Sequence, residues 1–286
     1  MNIKLVTTAA ILSLSTAAFA GNTFQRTLNV SGPADVYVST GSGSIRIFPG
    51  SDNEIHIVGH VHASWSAFGN IDAHVSRIVD DPPIVQTGNA VHIGESGDRS
   101  LFNNISIDYE ISVPASAALN VHSGSGDIEI DHVGRFLAAS SGSGSVRAHG
   151  IHGPADLQTG SGDIELQDDG TGDIKAKTGS GSIRISGLNG GLSAKTGSGD
   201  IEASGQLQGE GNLSSGSGSV RLHLTPDAHF NLEASTGSGD IRVHFPGAPQ
   251  QSDSSRHHMT APINGGGPAL EIRTGSGDIE VDGGSH

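Results

Sequence analysis

The residues with the most evident chemical potential sit in one run, EIHIVGHVHA at 54–63, where His56, His60 and His62 share one parity opposite Ile55, Ile57 and Val61. Histidines two apart on a strand project from the same face and can both reach a metal ion. Outward histidines are equally ordinary on an exposed strand, so we expect surface residues here and no metal or other cofactor. His257 and His258 fall in a stretch whose composition reads as a loop, and they are taken as solvated. Trp65 and Phe68, in ASWSAFGN, could form a contact patch, although capping one end of a core is the plainer use of two such rings. The chain has no G-x-S-x-G elbow, H-E-x-x-H pair, Walker loop or dinucleotide fingerprint. Its carboxylates recur all along the chain, whereas a catalytic pair would stand apart from a repeat. No catalytic residue is assigned, and the expectation is a protein that is not an enzyme.

The positioning elements follow from a repeat. A motif G-S-G-D/S-I/V begins at Gly41, Gly124, Gly142, Gly160, Gly179, Gly197, Gly216, Gly237 and Gly275, with steps of 18, 18, 19, 18, 19, 21 and 38 from Gly124 onward. This period is too short for paired helices and fits a β-solenoid, in which each coil adds a layer of strands. Apolar residues alternate on both sides of the glycines: Leu192, Ala194 and Thr196 before GSG, then Ile201 and Ala203 after it. Period-two alternation turns these side chains to one face and Lys195 and Glu202 to the other. The fold class is therefore all-β: a single-chain β-solenoid with coils of 18–19 residues, two short strands per coil hinged at a GSG corner. Glycine is expected at the corner for a sharp bend of positive φ, and because the next layer lies only about 4.8 Å away.

Stacking also explains why the charged position flips. The outward residue after each corner reads Glu129, Arg147, Glu165, Arg184, Glu202, Arg221, while the corner residue alternates as Asp127, Ser145, Asp163, Ser182, Asp200, Ser219. Equivalent residues of successive coils oppose one another, so DIE in every coil would stack carboxylates, whereas alternation pairs opposite charges. Arg221 followed by Arg242 breaks the rule, with Asp240 or Glu233 near enough in sequence to compensate. If 246–267 adds no coil, Glu280 stacks on Arg242, and the last coil leaves Asp278, Glu280 and Asp282 along an exposed edge.

The chain divides on this reading into a secretory signal at 1–20, ending Ala18-Phe19-Ala20, and one domain at 21–286. Within that domain, 21–116 holds capping and irregular longer coils, 117–245 the regular repeats, 246–267 a loop and 268–286 the last coil. Runs such as EIHIVGHVHA, HVSRIV and NISIDYEISVP read as strands of the irregular coils, and FQRTLNV as a cover for the start of the core. There is no cysteine, so no disulfide or thiolate site holds the fold. A net charge of −15 argues against nucleic acid and anionic headgroups as partners. No apolar run after the signal is long enough for an integral membrane segment.

The L-x-A-x-T-G-S-G-D-I-E pattern, and YEISVP leading into LNVHSGSGDIEI, resemble a bacterial β-strand-repeat family of unknown function whose members often carry the label of candidate adhesin. The resemblance implies an exported β-solenoid at the cell envelope, periplasmic, surface-bound or secreted, and brings no catalytic residues with it. The first expectation is a non-enzymatic protein presenting a repetitive charged face to an envelope or extracellular protein or glycan, with Arg147, Arg184 and Arg221 as contact candidates. A polysaccharide-active β-helix enzyme is the second, favoured if acidic residues of 50–116 converge in a cleft. A periplasmic scaffold partner of an envelope protein is the third.

Overall fold

The structure is a computed structural model, which describes residues 22–63, 71–94, 102–245 and 256–284. Its N-terminal third contains β1 (Thr23–Asn29), β2 (Asp35–Thr40), β3 (Ile45–Pro49), β4 (Glu54–Ala63), α1 (Ile71–Asp80), β5 (Ile84–Thr87), β6 (Ala90–Ile93) and β7 (Ile105–Val113). Regular coils follow as β8 (Ala118–Ser123), β9 (Ile128–Asp131), β10 (Phe136–Ser141), β11 (Val146–Ile151), β12 (Ala155–Thr159), β13 (Ile164–Asp168) and β14 (Ile174–Thr178). Two bent strands, β15 (Ile183–Thr196) and β16 (Ile201–Ser215), each run through the second turn from one sheet into the other. The chain ends with β17 (Val220–Leu224), β18 (Phe230–Thr236), β19 (Ile241–His244), β20 (His258–Ile263), β21 (Ala269–Thr274) and β22 (Ile279–Gly283).

These strands stack as a β-solenoid with two faces. Strands entering the corners form an incoming sheet in the order β5, β6, β2, β8, β10, β12, β14, the second half of β15, the second half of β16, β21, β18, β20. Strands leaving them form an outgoing sheet in the order β1, β4, β7, β3, β9, β11, β13, β15, β16, β17, β22, β19. Among the described residues, pairing is parallel between coils and antiparallel in the covers, at β1–β4, β4–β7, β5–β6 and β18–β20. Inward residues such as Leu137, Ala139, Ile164, Leu166, Ile201 and Ala203 fill the space between the sheets.

Layer order differs from chain order at both ends. The coil of β6 and β7 stacks outside that of β2 and β3, after which the chain returns to the inner side for β8. Likewise β21 and β22 slide between β16–β17 and β18–β19 instead of following the latter. The last coil is thus not an edge, which corrects the expectation that Asp278, Glu280 and Asp282 line one. The C-terminal edges are the four-residue β19 and β20, which carries Pro262; short strands and proline both discourage strand addition. At the ends of the core Phe24 packs edge-on to Tyr109 at 6.3 Å, and Phe230 edge-on to Phe245 at 5.4 Å.

Two segments depart from the sequence reading. HVSRIV lies in α1, whose Val75 and Ile78 are buried; the spacing Ile71, Val75, Ile78 is helical, and in a six-residue window it passes for strand. Within 246–267, residues His258–Ile263 form β20, paired with β18 through Ala261 and Ile263, which point inward with Met259. Residues 246–255 lie outside the described residues, as do 1–21 with the expected signal, and Trp65 and Phe68.

The corners work by stacking, not by backbone angle. No GSG glycine has positive φ, contrary to expectation; a Cβ on Gly142 or Gly144 would sit on the carbonyl oxygen of Gly124 or Gly126 one layer away. Left-handed glycines serve the second turn instead, at Gly150 (φ 64) and Gly187 (φ 78). Inside each corner lies a buried Thr or Ser. Thr196 Oγ1 donates to the Gly181 carbonyl of the adjoining layer at 2.8 Å and accepts the Gly199 N–H at 3.1 Å. Ser141, Thr159, Thr178, Ser215, Thr236 and Thr274 repeat both bonds, so a line of hydroxyls ties layer to layer.

Thr196→Val keeps the shape but leaves the Gly199 N–H and Gly181 carbonyl unpaired, so it is expected to cost about 1–3 kcal/mol in denaturant unfolding. Thr196→Ser, the residue other coils use, should stay close to wild type. A second expectation concerns Asp168, an inward carboxylate at the second turn whose Oδ1 accepts from Gly170 at 3.2 Å while Oδ2 has no partner. Desolvation raises its pKa above the ordinary carboxylate value, and the neighbouring Asp169 charge adds to this. A raised folded-state pKa favours the fold in acid and loses that contribution as pH rises. Asp168→Asn should therefore raise Tm at pH 7, by about 2–4 °C if the gain is about 1 kcal/mol, and the gain should vanish below about pH 4.

Candidate functional site

The outgoing sheet carries one uninterrupted row of alternating charge. In layer order it reads Glu110, Arg46, Glu129, Arg147, Glu165, Arg184, Glu202, Arg221, Glu280, Arg242, each opposed in register to the next. The apparent break between Arg221 and Arg242 closes because Glu280 is inserted between them. Arg46 Nε meets Glu129 at 2.9 Å, which raises the guanidinium pKa, and Arg221 Nε lies 3.9 Å from Glu280. These side chains are roughly half exposed, so each pair contributes about 0.2–1 kcal/mol.

A second row runs along the corners. Asp127, Asp163 and Asp200 each accept the backbone N–H of the serine in the next layer, Ser145, Ser182 and Ser219, at 2.8 Å. This row ends with two acids, Asp278 and Asp240, and Arg242 spans both at 3.1 Å. The Asp240 N–H, and then Arg242, hold Asp278 below its ordinary pKa. Asp240 therefore does help to hold Arg242, while Glu233 lies on the incoming sheet and pairs with Arg273 at 3.5 Å.

A concavity lies on this face where antiparallel β4 and β7 meet the first parallel coils. It is an open groove of about 610 Å³ lined by Arg46, His60, His62, Asp108, Glu110 and Glu129 among others. Asp108 and Glu110 are acids of the irregular region, so some convergence of the kind expected for an enzyme is present. Both are engaged: Asp108 with His62 Nε2 at 2.9 Å and the Ser44 N–H at 2.7 Å, Glu110 with Arg46 at 4.0 Å. The three histidines do project from one face of β4, but His56 bonds Thr27, His60 bonds Thr23 and His62 turns to Asp108. They do not gather around one point.

The incoming sheet carries a patch that sequence reading missed. Lys177 of β14 opposes Lys195 of β15 in register, with Lys175 two residues away on the same exposed face. These are all the lysines beyond Lys4. Like charges directly opposed destabilise a sheet, and the other face avoids them over ten layers. The signal was available, since Lys177 and Lys195 stand at equal distance from their GSG corners. On the same sheet, Tyr37 stacks on His92 with ring centres 4.5 Å apart.

Layered parallel coils with hydroxyl-lined glycine corners define a β-solenoid of outward-facing charge. The chain belongs to the Toastrack DUF4097 family, a domain of unknown function, matched over residues 36–282. It is similar to a candidate adhesin from Bacteroides fragilis NCTC 9343 (13% identity, covering 91% of this chain and 96% of that one, TM-score 0.37). It is also similar to one from Parabacteroides distasonis ATCC 8503 (11%, 91% and 97%, TM-score 0.31). A candidate cell adhesion protein from Clostridium sporogenes ATCC 15579 is likewise similar (12%, 91% and 99%, TM-score 0.26). No curated protein matches it. Among the described residues no helix is long and apolar enough to cross a membrane.

Arg184→Glu would place three carboxylates in successive layers, Glu165, the new side chain and Glu202. A fall of about 0.5–2 kcal/mol is expected in thermal or urea unfolding, larger at 10 mM than at 1 M salt because exposed charges are screened. A melting curve unchanged at both ionic strengths would remove the charge row from the account of stability.

Proposed function

We propose that the protein is a non-enzymatic exported interaction protein that binds an anionic envelope or extracellular polymer on the outward face of the incoming sheet. The observation that carries this reading is Lys177 opposite Lys195, with Lys175 beside them, in a chain whose net charge is −15. A sheet built for stability alone would oppose unlike charges there, as the outgoing sheet does, so the patch is suited to an anion supplied from outside. Stacked strands fix Lys177 and Lys195 in register, with Lys175 beside them facing Asp156, and a repeating polymer can engage them together, so weak contacts add. An exported location, with residues 1–20 as the signal, is part of the same reading.

A second reading rests on the groove beside Asp108 and Glu110: hydrolysis or lyase chemistry on a polysaccharide. One experiment separates the two. Purified protein is incubated with anionic and neutral cell-wall and capsular polysaccharides, following both pull-down and release of reducing ends. Saturable capture of the anionic polymers without release, weakened in the double variant Lys177→Ala/Lys195→Ala and by salt, is expected. Release of reducing ends would favour the second reading, and capture indifferent to the lysines would overturn the first.

A further inference from the structure

We propose a divalent transition-metal site at the C-terminal end of the outgoing sheet, built by His244, Glu280 and Asp282, with His223 on the other side of Asp282. Register places His223 of β17, Asp282 of β22 and His244 of β19 side by side on three adjacent strands, one outward position beyond Arg221, Glu280 and Arg242. Asp282 lies between the two imidazoles, its Oδ1 2.6 Å from His244 Nδ1 and its Oδ2 3.3 Å from His223 Nδ1. One ligand atom each from His244, Glu280 and Asp282 falls within 4.8 Å of the others.

The donor set suits the proposal. Ligands about 2.0–2.1 Å from a tetrahedral ion stand about 3.3 Å apart, a spacing that fits inside the 4.8 Å enclosing the ligand atoms of His244, Glu280 and Asp282. The shorter His244 contact needs only a modest opening, and His244 is the most exposed of the three. An imidazole with two carboxylates, and a second imidazole beside Asp282, favours zinc and its neighbours over calcium or magnesium, which take oxygen ligands. Strand placement fixes the ligands more firmly than a loop would. An ion here would also pin the inserted strand β22 between β17 and β19, joining three segments distant in the chain.

The test uses untagged purified protein titrated with zinc by calorimetry, with cobalt as a spectroscopic probe. One saturable site per chain, the visible absorption of four-coordinate cobalt, and a metal-dependent rise in Tm are expected. Affinity should fall by roughly tenfold or more in Asp282→Asn and in His244→Ala, while His74→Ala on α1 binds as wild type. Melting curves without metal show that the variants are folded, and the cobalt spectrum of the wild type needs no variant. Absence of saturable binding, or binding unchanged in both variants, would overturn the site.

Discussion

The regular coils depend on parallel strands stacking at one backbone spacing, in the same register on either side of each corner. At about 4.8 Å per layer, whatever stands at a position in one coil touches its counterpart in the next. From Gly124 onward a side chain at either end of GSG would meet a carbonyl oxygen of the neighbouring layer, so glycine is required there; only Gly41, in the first corner, has open space. A hydroxyl just before the corner meets the carbonyl it must satisfy, so Thr or Ser recurs there. Apolar inward residues meet apolar residues and need no further specification.

Charge is where such stacking is most demanding, because repetition of one motif would align like charges. The outgoing sheet resolves this by alternating Glu and Arg over ten layers. The rule operates on spatial neighbours, which is why it holds through the displaced last coil. Arg221 and Arg242 are consecutive in the chain, and Glu280 comes from a coil made later and placed between them. The coil of β6 and β7 at one end and the strands β18–β20 at the other are internal to the sequence yet lie outside coils that precede or follow them, while the N-terminal β1, with Phe24, covers the outgoing sheet's first edge.

A scaffold of this kind offers broad faces more readily than deep clefts. Its surface chemistry is a matter of which outward rows obey the alternation and which do not. The row from Glu110 to Arg242 obeys it and is largely neutralised; the lysine patch does not, and neither does the row holding His223, Asp282 and His244. Both combine residues that repetition brings into register. They are accordingly the places where contacts with something outside the chain are most readily accommodated.

The amino-acid sequence by itself determined the class of fold, the coil length, the inward and outward parity and the pairing of Glu with Arg from Glu129 to Arg221. Those features are local and repeat, so a short-range pattern specifies them. Tertiary structure decided which coils are neighbours at the two ends, since layer order there is set by covers and long-range pairing that no periodicity records. It therefore decided the positions of β20 and α1, the separation of His56, His60 and His62, and the meeting of Asp282 with His223 and His244. The corner glycines show the same division: their positions are evident in the repeat, but that they answer to a neighbouring carbonyl and not to positive φ is visible only once one layer rests on another.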